Sequence, residues 1–312
     1  MGGISMKKYD VAIVGGGPAG VMAAYELVEK KPGLHVIVFE SGKDIYHRVC
    51  PISAGKVKSC IGCKPCSIMR GFGGAGAFSD GKYNFTTKFG GWLNEYLPDE
   101  EVMELIDYVD KINMKHGAPS QVLSTKNSDI GRLALQHDLH LLSASVRHLG
   151  TENNLRMLEQ TYEYLKEKVE FRFECPVAHI ESDGQGDNML ELANGEKIEA
   201  DFLVIAPGRA GAEWFSNECN RLGIEQENNR VDVGVRVEVP DEVWNDITSQ
   251  VYEAKLLYRT KQYGDFVRTF CMNPHGHVVM ENTDGIVTVN GHSYPIAACC
   301  RCFSRVVRVI QV

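Results

Sequence analysis

The sequence predicts an α/β fold in which a parallel-sheet domain is interleaved with a second, mostly antiparallel β domain. Three observations carry this prediction. A strand, a glycine turn, a helix and a second strand follow one another at the start of the chain, a short apolar strand ends in another glycine turn near residue 205, and apolar residues alternate beyond residue 230. The 312 residues suffice for one large domain or two ordinary ones.

We expect four segments along the chain. The first domain is discontinuous, over residues 6–84 and 150–215, and residues 85–149 form a helical insertion. A second β domain on the substrate side covers residues 216–298, and residues 299–312 form an atypical tail.

Charge and hydropathy exclude two classes of binding partner, nucleic acids and membranes. Lys and Arg number 33 against 41 Asp and Glu, a net charge of −8, so no basic field is available for a nucleic acid. No apolar run approaches the roughly 18 residues that span a bilayer. The first residues lead into a strand without a signal-peptide core, so we expect a cytoplasmic protein that is not bound to a membrane.

The first unit reads "YDVAIVGGGPAGVMAAYELVEKKPGLHVIVFE". Gly15-x-Gly17-x-x-Gly20 allows a tight turn, close approach of a pyrophosphate and close packing of helix on strand. Pro18 suits the first helical position. Glu40 stands 20 residues after Gly20, where an acid accepts hydrogen bonds from ribose hydroxyls and disfavours the 2′-phosphate of NADP. This unit predicts a Rossmann-like dinucleotide site.

The segment "CIGCKPCSIMRGFGGAGAFSDGK" carries three open interpretations. Cys60, Cys63 and Cys66, completed by Cys50, suit an iron–sulfur cluster or Zn²⁺. Alternatively, C-x-x-C spacing supports a redox dithiol, or the cysteines only shape a loop. A nucleotide P-loop is disfavoured because Tyr83 follows the lysine where Ser or Thr is needed.

Two amphipathic helices and several strands follow. The segments "LPDEEVMELIDYVDKINMKHGAP" and "NNLRMLEQTYEYLKEK" have helical periodicity, and the three histidines between them, His137, His140 and His148, lack ligand spacing. Asn194-Gly195 predicts a hairpin with a type I′ turn. "ADFLVIAPG" predicts a strand buried on both faces, and "RVDVGVRVEVP" predicts a half-buried one.

Together, "VAIVGGGPAG", "VFESG", "GFGGAGAFSDGK", "ADFLVIAPGRAG" and "DVGVRVEVP" resemble a family of FAD-dependent dehydrogenases, flavoproteins with two dinucleotide-binding domains. The resemblance runs from Tyr9 to Ser293. It implies that FAD is the cofactor and that four groups of residues hold it. They are the ADP-binding Gly15, Gly17, Pro18, Ala19, Gly20, Glu40 and Ser41; Val177 at the adenine; Gly73, Gly74, Ala75 and Ser79 at the isoalloxazine; and the turn Ala206-Pro207-Gly208.

The sequence departs from this family at two places. Pro207 replaces the usual threonine of the second glycine turn. Members of the family close the flavin site with a C-terminal Gly-Asp segment and a helix, whereas this sequence ends in "IAACCRCFSRVVRVIQV". The comparison leads us to expect a truncated or altered terminus and an incomplete flavin site.

Two functional hypotheses follow. In the first, the protein is an FAD-dependent oxidoreductase acting on a small molecule, with the cysteine cluster near the flavin and either NAD(P)H or a redox partner exchanging electrons with it. Arg268, His275 and His277 are the candidates for substrate contact, and an ordinary sheet and turn is the alternative for each. In the second, a shortened chain binds FAD or ADP without turnover.

Overall fold

The computed structural model describes residues 8–182, 188–228, 233–273, 276–283, 286–292 and 305–311. The chain divides into two compact units of mixed α/β structure, and each unit uses two separate parts of the chain. Unit 1 comprises Met1–Phe78 and Asn154–Asn228, and unit 2 comprises Ser79–Asn153 and Asn229–Val312. The expected helical insertion over 85–149 therefore belongs to the same unit as the C-terminal β segments and contains strands of its own.

Helices and strands intermingle in the first half of the chain, whereas strands predominate in the second. The helices are α1 (Pro18–Lys30), α2 (Asp99–Lys115), α3 (Ser128–Gln136), α4 (Thr151–Lys166), α5 (Ala212–Leu222) and α6 (Asp241–Thr248). The strands are β1 (Lys8–Val14), β2 (Val36–Phe39), β3 (Lys82–Phe85), β4 (Leu123–Ser124), β5 (Leu139–Leu142), β6 (Ser145–His148), β7 (Glu170–Arg172), β8 (Val177–Ser182), β9 (Asn188–Leu192), β10 (Lys197–Ile205), β11 (Val235–Pro240), β12 (Lys255–Arg259), β13 (Phe266–Asn273), β14 (His277–Thr283), β15 (Ile286–His292) and β16 (Arg305–Gln311).

Unit 1 contains a six-stranded sheet in the order β7-β2-β1-β10-β9-β8. The first four strands are parallel, and β10 continues into an antiparallel pairing with β9. Ala12, Ile37, Phe39, Leu190 and Ala200 are among the fully buried residues that form the core of the sheet. The predicted order of strand, helix and strand is confirmed, and it brings the carboxyl ends of β1, β2 and β10 to one edge.

The predicted hairpin between β9 and β10 forms with a different turn. The Gly195 N–H donates to the carbonyl of Leu192 at 2.8 Å, and Gly195 has a φ of +85°. Asn194 is not among the residues with positive φ, which a type I′ turn requires at both central positions. In this turn only Gly195 takes the left-handed backbone conformation, which glycine adopts without strain, and Asn194 does not have to adopt it.

Strand β10 is less buried than its apolar sequence predicts. Ala200 is fully buried, and Leu203 and Ile205 pack against the core, but Phe202 is 69% exposed. Residues two apart in a strand share a face, so the face of β10 that is covered at Ala200 is open at Phe202.

Unit 2 is built from antiparallel pairings, as predicted for the second domain. Its sheets have the orders β11-β16-β13-β12-β5, β3-β6-β4 and β14-β15. The expected tail contributes β16, which pairs with both β11 and β13. None of the helices in the described ranges combines the length and apolarity needed to cross a bilayer.

Candidate functional site

The glycine turn after β1 is held by the ends of two neighbouring strands. The Gly15 N–H donates to the carbonyl of Phe39 at 2.8 Å, and the Ala206 N–H donates to Val14 at 2.8 Å. Gly15 has a φ of +106°, and an added Cβ would overlap the carbonyl oxygen of Ala206. The turn therefore needs glycine at this position for both its backbone angle and its packing.

The other two glycines of the motif play different parts. A Cβ on Gly20 would overlap the carbonyl oxygen of Gly15, so this position serves helix–strand packing. Gly17 has a φ of −76°, and a Cβ there would come no closer than 3.9 Å to its nearest neighbour, Gly74. Packing within unit 1 does not require glycine at 17. The open space beside Gly17 would let a bound ligand approach the backbone closely.

A second glycine loop lies against the first, as the sequence analysis expects for Gly73, Gly74 and Ala75. The Gly73 N–H donates to the Gly16 carbonyl at 2.8 Å. Gly74 has a φ of +60°, and its Cβ would lie 3.2 Å from the Cα of Gly17. We call residues 15–20 and 71–76 together the glycine cradle. It offers mostly backbone at the start of α1.

Glu40 lies beneath the glycine cradle and is only 6% exposed. Its Oε2 accepts the Gly16 N–H at 2.7 Å, and its Oε1 accepts the N–H groups of Gly42 at 2.7 Å and Gly71 at 3.0 Å. The Ser41 hydroxyl is 3.3 Å from the same Oε1. Glu40 thus ties three loop segments together, a role that the ribose interpretation did not include. Oε2 has one donor and room for another.

The remaining residues expected at the cofactor occupy distinct places. Val177 is 8% exposed, packs in the core and pairs with Leu192. The turn Ala206-Pro207-Gly208 follows β10 directly, and Gly208 has a φ of +60°. Pro18 opens α1, and Ala19 follows it in the first turn. Ser79 belongs to unit 2, where its hydroxyl accepts the Gly81 N–H at 3.2 Å.

Arg48 is a structural centre that the sequence analysis missed. Its guanidinium, 4% exposed, donates to the carbonyls of Ser67 at 2.9 Å, Ile68 at 2.8 Å and Phe72 at 2.6 Å. Burial lowers its pKa to about 10, against the effect of the Glu40 carboxylate, so it stays charged at neutral pH. Arg48 thereby holds the backbone that follows the cysteines and fixes the position where the second glycine loop begins.

The structure does not gather the cysteines into a metal centre. Cys60 is exposed, and Cys50, Cys63 and Cys66 are half-buried free thiols. No group of three His, Cys, Asp or Glu side chains in the described ranges is arranged to hold a metal ion. The chain forms only turns between β2 and Ala75, so no helix or strand fixes the thiols relative to one another. The iron–sulfur or Zn²⁺ interpretation gains no structural support.

A buried ionic cluster lies inside unit 2. Lys82, which begins β3 rather than a P-loop helix, forms an ion pair with Glu253 and also donates to the Met272 carbonyl at 3.1 Å. Lys255 donates to the other oxygen of Glu253 at 3.2 Å. Both oxygens of the glutamate, whose side chain is 1% exposed, thus face a cation. The sequence motif Gly-Lys carried no signal of this pairing.

His148 and Tyr252 extend this cluster. The tyrosine hydroxyl and the Nδ1 of His148 form a 2.8 Å hydrogen bond, and the buried Nε2 of His148 has no partner. Burial, followed by the charge of Lys82, lowers the pKa of His148, while burial and the charge of Glu253 raise the pKa of Tyr252. Both rings are therefore neutral at neutral pH. The sequence around His148 carries no signal of this pairing.

The candidates for substrate contact are only partly described. Arg268 lies on β13 with its guanidinium carbon 5.3 Å from the ring centre of Phe270 and 5.8 Å from that of Phe89. His277 begins β14, and its backbone pairs with that of His292. His275 lies outside the described residues.

Comparisons with known proteins give one short family match and several distant structural similarities. The family model "Lycopene cyclase protein" matches residues 10–49, and no curated protein sequence matches the chain. Glycine oxidase from Bacillus cereus ATCC 14579 is 13% identical over 92% of this chain and 73% of that one, with a TM-score of 0.44. Glycine oxidase from Geobacillus kaustophilus is 14% identical over 98% and 83%, with a TM-score of 0.43. L-amino acid deaminase from Proteus vulgaris is 14% identical over 76% of this chain, with a TM-score of 0.38, and the match covers 54% of its own length. The matched residues 10–49 span most of β1, α1, β2 and Glu40, where this chain is similar to the lycopene cyclase family.

Proposed function

We propose that unit 1 binds FAD and that the protein is an FAD-dependent oxidoreductase acting on a small molecule. The observation that carries the proposal is the glycine cradle at the start of α1, with Gly17 open to an outside group. A glycine turn that opens a helix at the end of a parallel strand binds pyrophosphate through backbone N–H groups and the helix dipole.

The residues around the glycine cradle fit the adenosine diphosphate half of FAD. The N-cap residue of α1 is Gly17, and no side chain caps the helix. The positive end of the helix dipole is therefore available to a phosphate. Glu40 Oε2 accepts a single N–H in the structure and has capacity for a ribose hydroxyl. A buried carboxylate at this place repels the 2′-phosphate of NADP, which favours a cofactor without that group.

Bound FAD would supply two-electron transfer, and the protein would position the substrate and exclude water. Arg268, His275 and His277 remain the proposed substrate contacts. NAD(P)H or a protein redox partner is the proposed source or acceptor of the electrons.

Titration of the apoprotein with FAD, followed by quenching of flavin fluorescence, tests the proposal. We expect Gly17→Ala to weaken FAD binding by at least about tenfold while leaving the fold intact, because the new methyl group lies on the side left open for pyrophosphate. Gly91→Ala is the matched control, since nothing lies within 4 Å of its Cβ and its φ is not in the left-handed region.

Equal FAD affinity of the two variants and the unaltered protein would remove the glycine cradle as the binding site. The oxidoreductase part is tested separately on the loaded protein, without oxygen, by following the visible flavin band after adding NADH, NADPH or a reducing dye. Bleaching and its reversal by an acceptor support turnover. Firm FAD binding without electron exchange would favour the non-catalytic alternative.

A further inference from the structure

Three cysteines precede the second glycine loop, and none of the functional assignments above uses their chemistry. Cys60 is exposed, Cys63 and Cys66 are half-buried, and all three are free thiols. Reagents in the solvent can therefore reach each of them. The C-x-x-C spacing occurs twice, between Cys60 and Cys63 and between Cys63 and Cys66. Spacing alone does not say which pair acts as a dithiol.

The backbone distinguishes the two pairs. The chain bends at Lys64 and Pro65, between Cys63 and Cys66, whereas it continues from Cys60 to Cys63 without a bend or a turn. Three residues of unbent chain span up to about 10 Å, and a disulfide bridges Cα atoms that are at most about 7 Å apart. The bend shortens this distance for Cys63 and Cys66. These two thiols are therefore the pair that the fold favours.

One member of this pair is held and the other can move. The Cys66 carbonyl accepts the N–H groups of Met69 at 3.1 Å and Arg70 at 2.9 Å, within the stretch whose carbonyls Arg48 binds. Among the described residues, no backbone–backbone hydrogen bond involves residues 57–65. Cys63 can therefore approach Cys66 without breaking any such bond, which keeps the strain in a disulfide between them low.

The segment around the pair is positively charged, although the whole chain has a net charge of −8. Lys56, Lys58 and Lys64 are exposed, and no Asp or Glu occurs from residue 45 to residue 79. A surface with an excess of one charge attracts small molecules of the opposite charge, most strongly at low salt. A disulfide that carries carboxylates is therefore a better reaction partner for this segment than one that carries amines.

We propose that Cys63 and Cys66 form a reversible disulfide by exchange with a small anionic disulfide such as glutathione disulfide. One thiolate of the pair attacks a sulfur of glutathione disulfide and releases one glutathione. The second thiolate attacks the mixed disulfide and releases the other glutathione. One S–S bond breaks and one forms, and the two electrons and two protons that the protein loses reside on the two glutathione thiols. The exchange needs no flavin, so it is independent of FAD binding.

Peptide mapping of the full chain, freed of FAD, tests the proposal. The protein is equilibrated with glutathione disulfide, alkylated with excess N-ethylmaleimide and digested with trypsin, which does not cleave between Lys64 and Pro65. A single peptide, residues 59–70, then contains all three cysteines, and its fragment masses identify the bonded pair. In the folded protein we expect a disulfide between Cys63 and Cys66, with Cys60 outside it.

The same mapping on protein unfolded in urea is the control for the role of the fold. The two C-x-x-C spacings are equal, so the unfolded chain should give both pairings in comparable amounts. The same mixture in the folded protein, a disulfide that includes Cys60, or no disulfide within this peptide would overturn the proposal.

Variants check the assignment of the two thiols. Cys63→Ser should retain a bound glutathione in place of the disulfide within the chain, because no second thiol at the bend can release it. Cys60→Ser is the matched control and should form the disulfide at the rate of the unaltered protein. Loss of the disulfide in a folded Cys60→Ser variant would contradict the assignment.

The charge of the small disulfide is tested with cystamine, which carries two amines. We expect the ratio of the exchange rate with glutathione disulfide to that with cystamine to fall at least about threefold between low salt and about 1 M NaCl, because salt screens the lysines. A ratio that stays constant or rises would show that the segment does not select an anionic partner.

Discussion

Glu40 shows how one side chain can organise a binding loop. Its carboxylate receives N–H groups from Gly16, Gly42 and Gly71, which lie in three different segments. Sequence spacing placed the acid at the right edge of the sheet. It could not show these backbone donors, because the return of residue 71 to this edge depends on the fold of the segment between.

Replacing Glu40 by glutamine tests this organising role. The amide keeps one acceptor but turns its NH₂ group toward a backbone donor, so we expect the free energy of unfolding to fall by about 2 kcal/mol. Urea unfolding measures it, with Glu225→Gln, an exposed position of the same unit, as the control. Equal midpoints for the two variants would show that the carboxylate does not hold the loops.

Glu218 joins α5 to β8 through a carboxylate that is ionised far below its usual range. Burial alone would raise the pKa of Glu218. Hydrogen bonds from Arg221, His179 and the Ile180 N–H outweigh burial and hold the pKa at about 2.

A depressed carboxylate pKa adds stability above the unfolded value, and that stability is lost as pH falls toward the folded value. Glu218→Gln should therefore lower the free energy of unfolding by about 2 kcal/mol at neutral pH. The difference from the unaltered protein should shrink steadily between about pH 4.5 and about pH 2, followed by urea unfolding across that interval. A difference that does not change with pH would mean that packing, and not ionisation, accounts for the loss.

His148 is a base where Glu218 is an acid, but protonation of either side chain lowers the stability of the fold as pH falls. Its pKa is lowered, first by burial and then by Lys82, although Asp80 and Glu253 act against this. The unfolded chain binds the proton more readily, so stability should be lost as pH falls below about 6.5, the ordinary value for histidine.

His148→Leu should flatten this part of the pH dependence. Unfolding midpoints in urea at about pH 8 and about pH 5.5 measure it, an interval that lies above the range in which Glu218 titrates. His47→Leu, at an exposed ring whose Nδ1 lies 2.7 Å from Asp44 Oδ2, serves as the control. An equally steep acid slope in His148→Leu would assign the slope to another group.

Among the elements, those governed by local sequence were predicted well. The helices α1, α2 and α4 and the strands β1 and β2 follow from apolar periodicity over about 10 to 20 neighbouring residues. Helix α3 was missed because it is short, although Asn127 carried a usable signal. Its side chain caps the helix by accepting the N–H groups of Asp129 and Ile130 at 3.0 Å each.

The segment that contains the four cysteines, residues 50–66, is anchored at its C-terminal end by one arginine. Arg48 donates to three backbone carbonyls of residues 67–72, and no helix or strand supports the chain from residue 50 to residue 70. Arg48→Met should leave these carbonyls without partners and let the segment open. We expect faster proteolytic cleavage within residues 50–66 and slower or weaker FAD uptake, whereas the exposed Lys56→Met should behave like the unaltered protein. Unchanged cleavage rates would show that the turns hold without the guanidinium.

At the scale of the molecule, the sequence could not predict which segments of the chain join to form unit 2. Lys82 meets Glu253 across 171 positions, and β5 pairs with β12 although the two lie in separate parts of the chain. Such pairings depend on the free energy of the whole unit rather than on local propensity, so periodicity carries no trace of them. For the same reason, residues 85–149 resembled an insertion of their own when they are part of unit 2.

The partition leads to a final prediction, that unit 1 folds without residues 79–153 and 229–312. Its two chain segments meet where unit 2 departs, because Asn154 Nδ2 donates to the Gly76 carbonyl at 2.8 Å and approaches that of Ala77 at 3.4 Å. A linker of about four glycine and serine residues can therefore join Phe78 to Asn154, and so short a loop costs little closure entropy.

We expect this joined chain, ending at Asn228, to unfold cooperatively in urea and to keep the FAD affinity that the glycine cradle supplies. A chain cut only at Asn228, with residues 79–153 retained, is the informative comparison. There β5 has lost its partner β12, so we expect rapid proteolysis confined to residues 79–153. If the joined chain lacks a cooperative transition while the full chain has one, the sheet of unit 1 needs the rest of the molecule. The two units would then form a single cooperative system despite their separate cores.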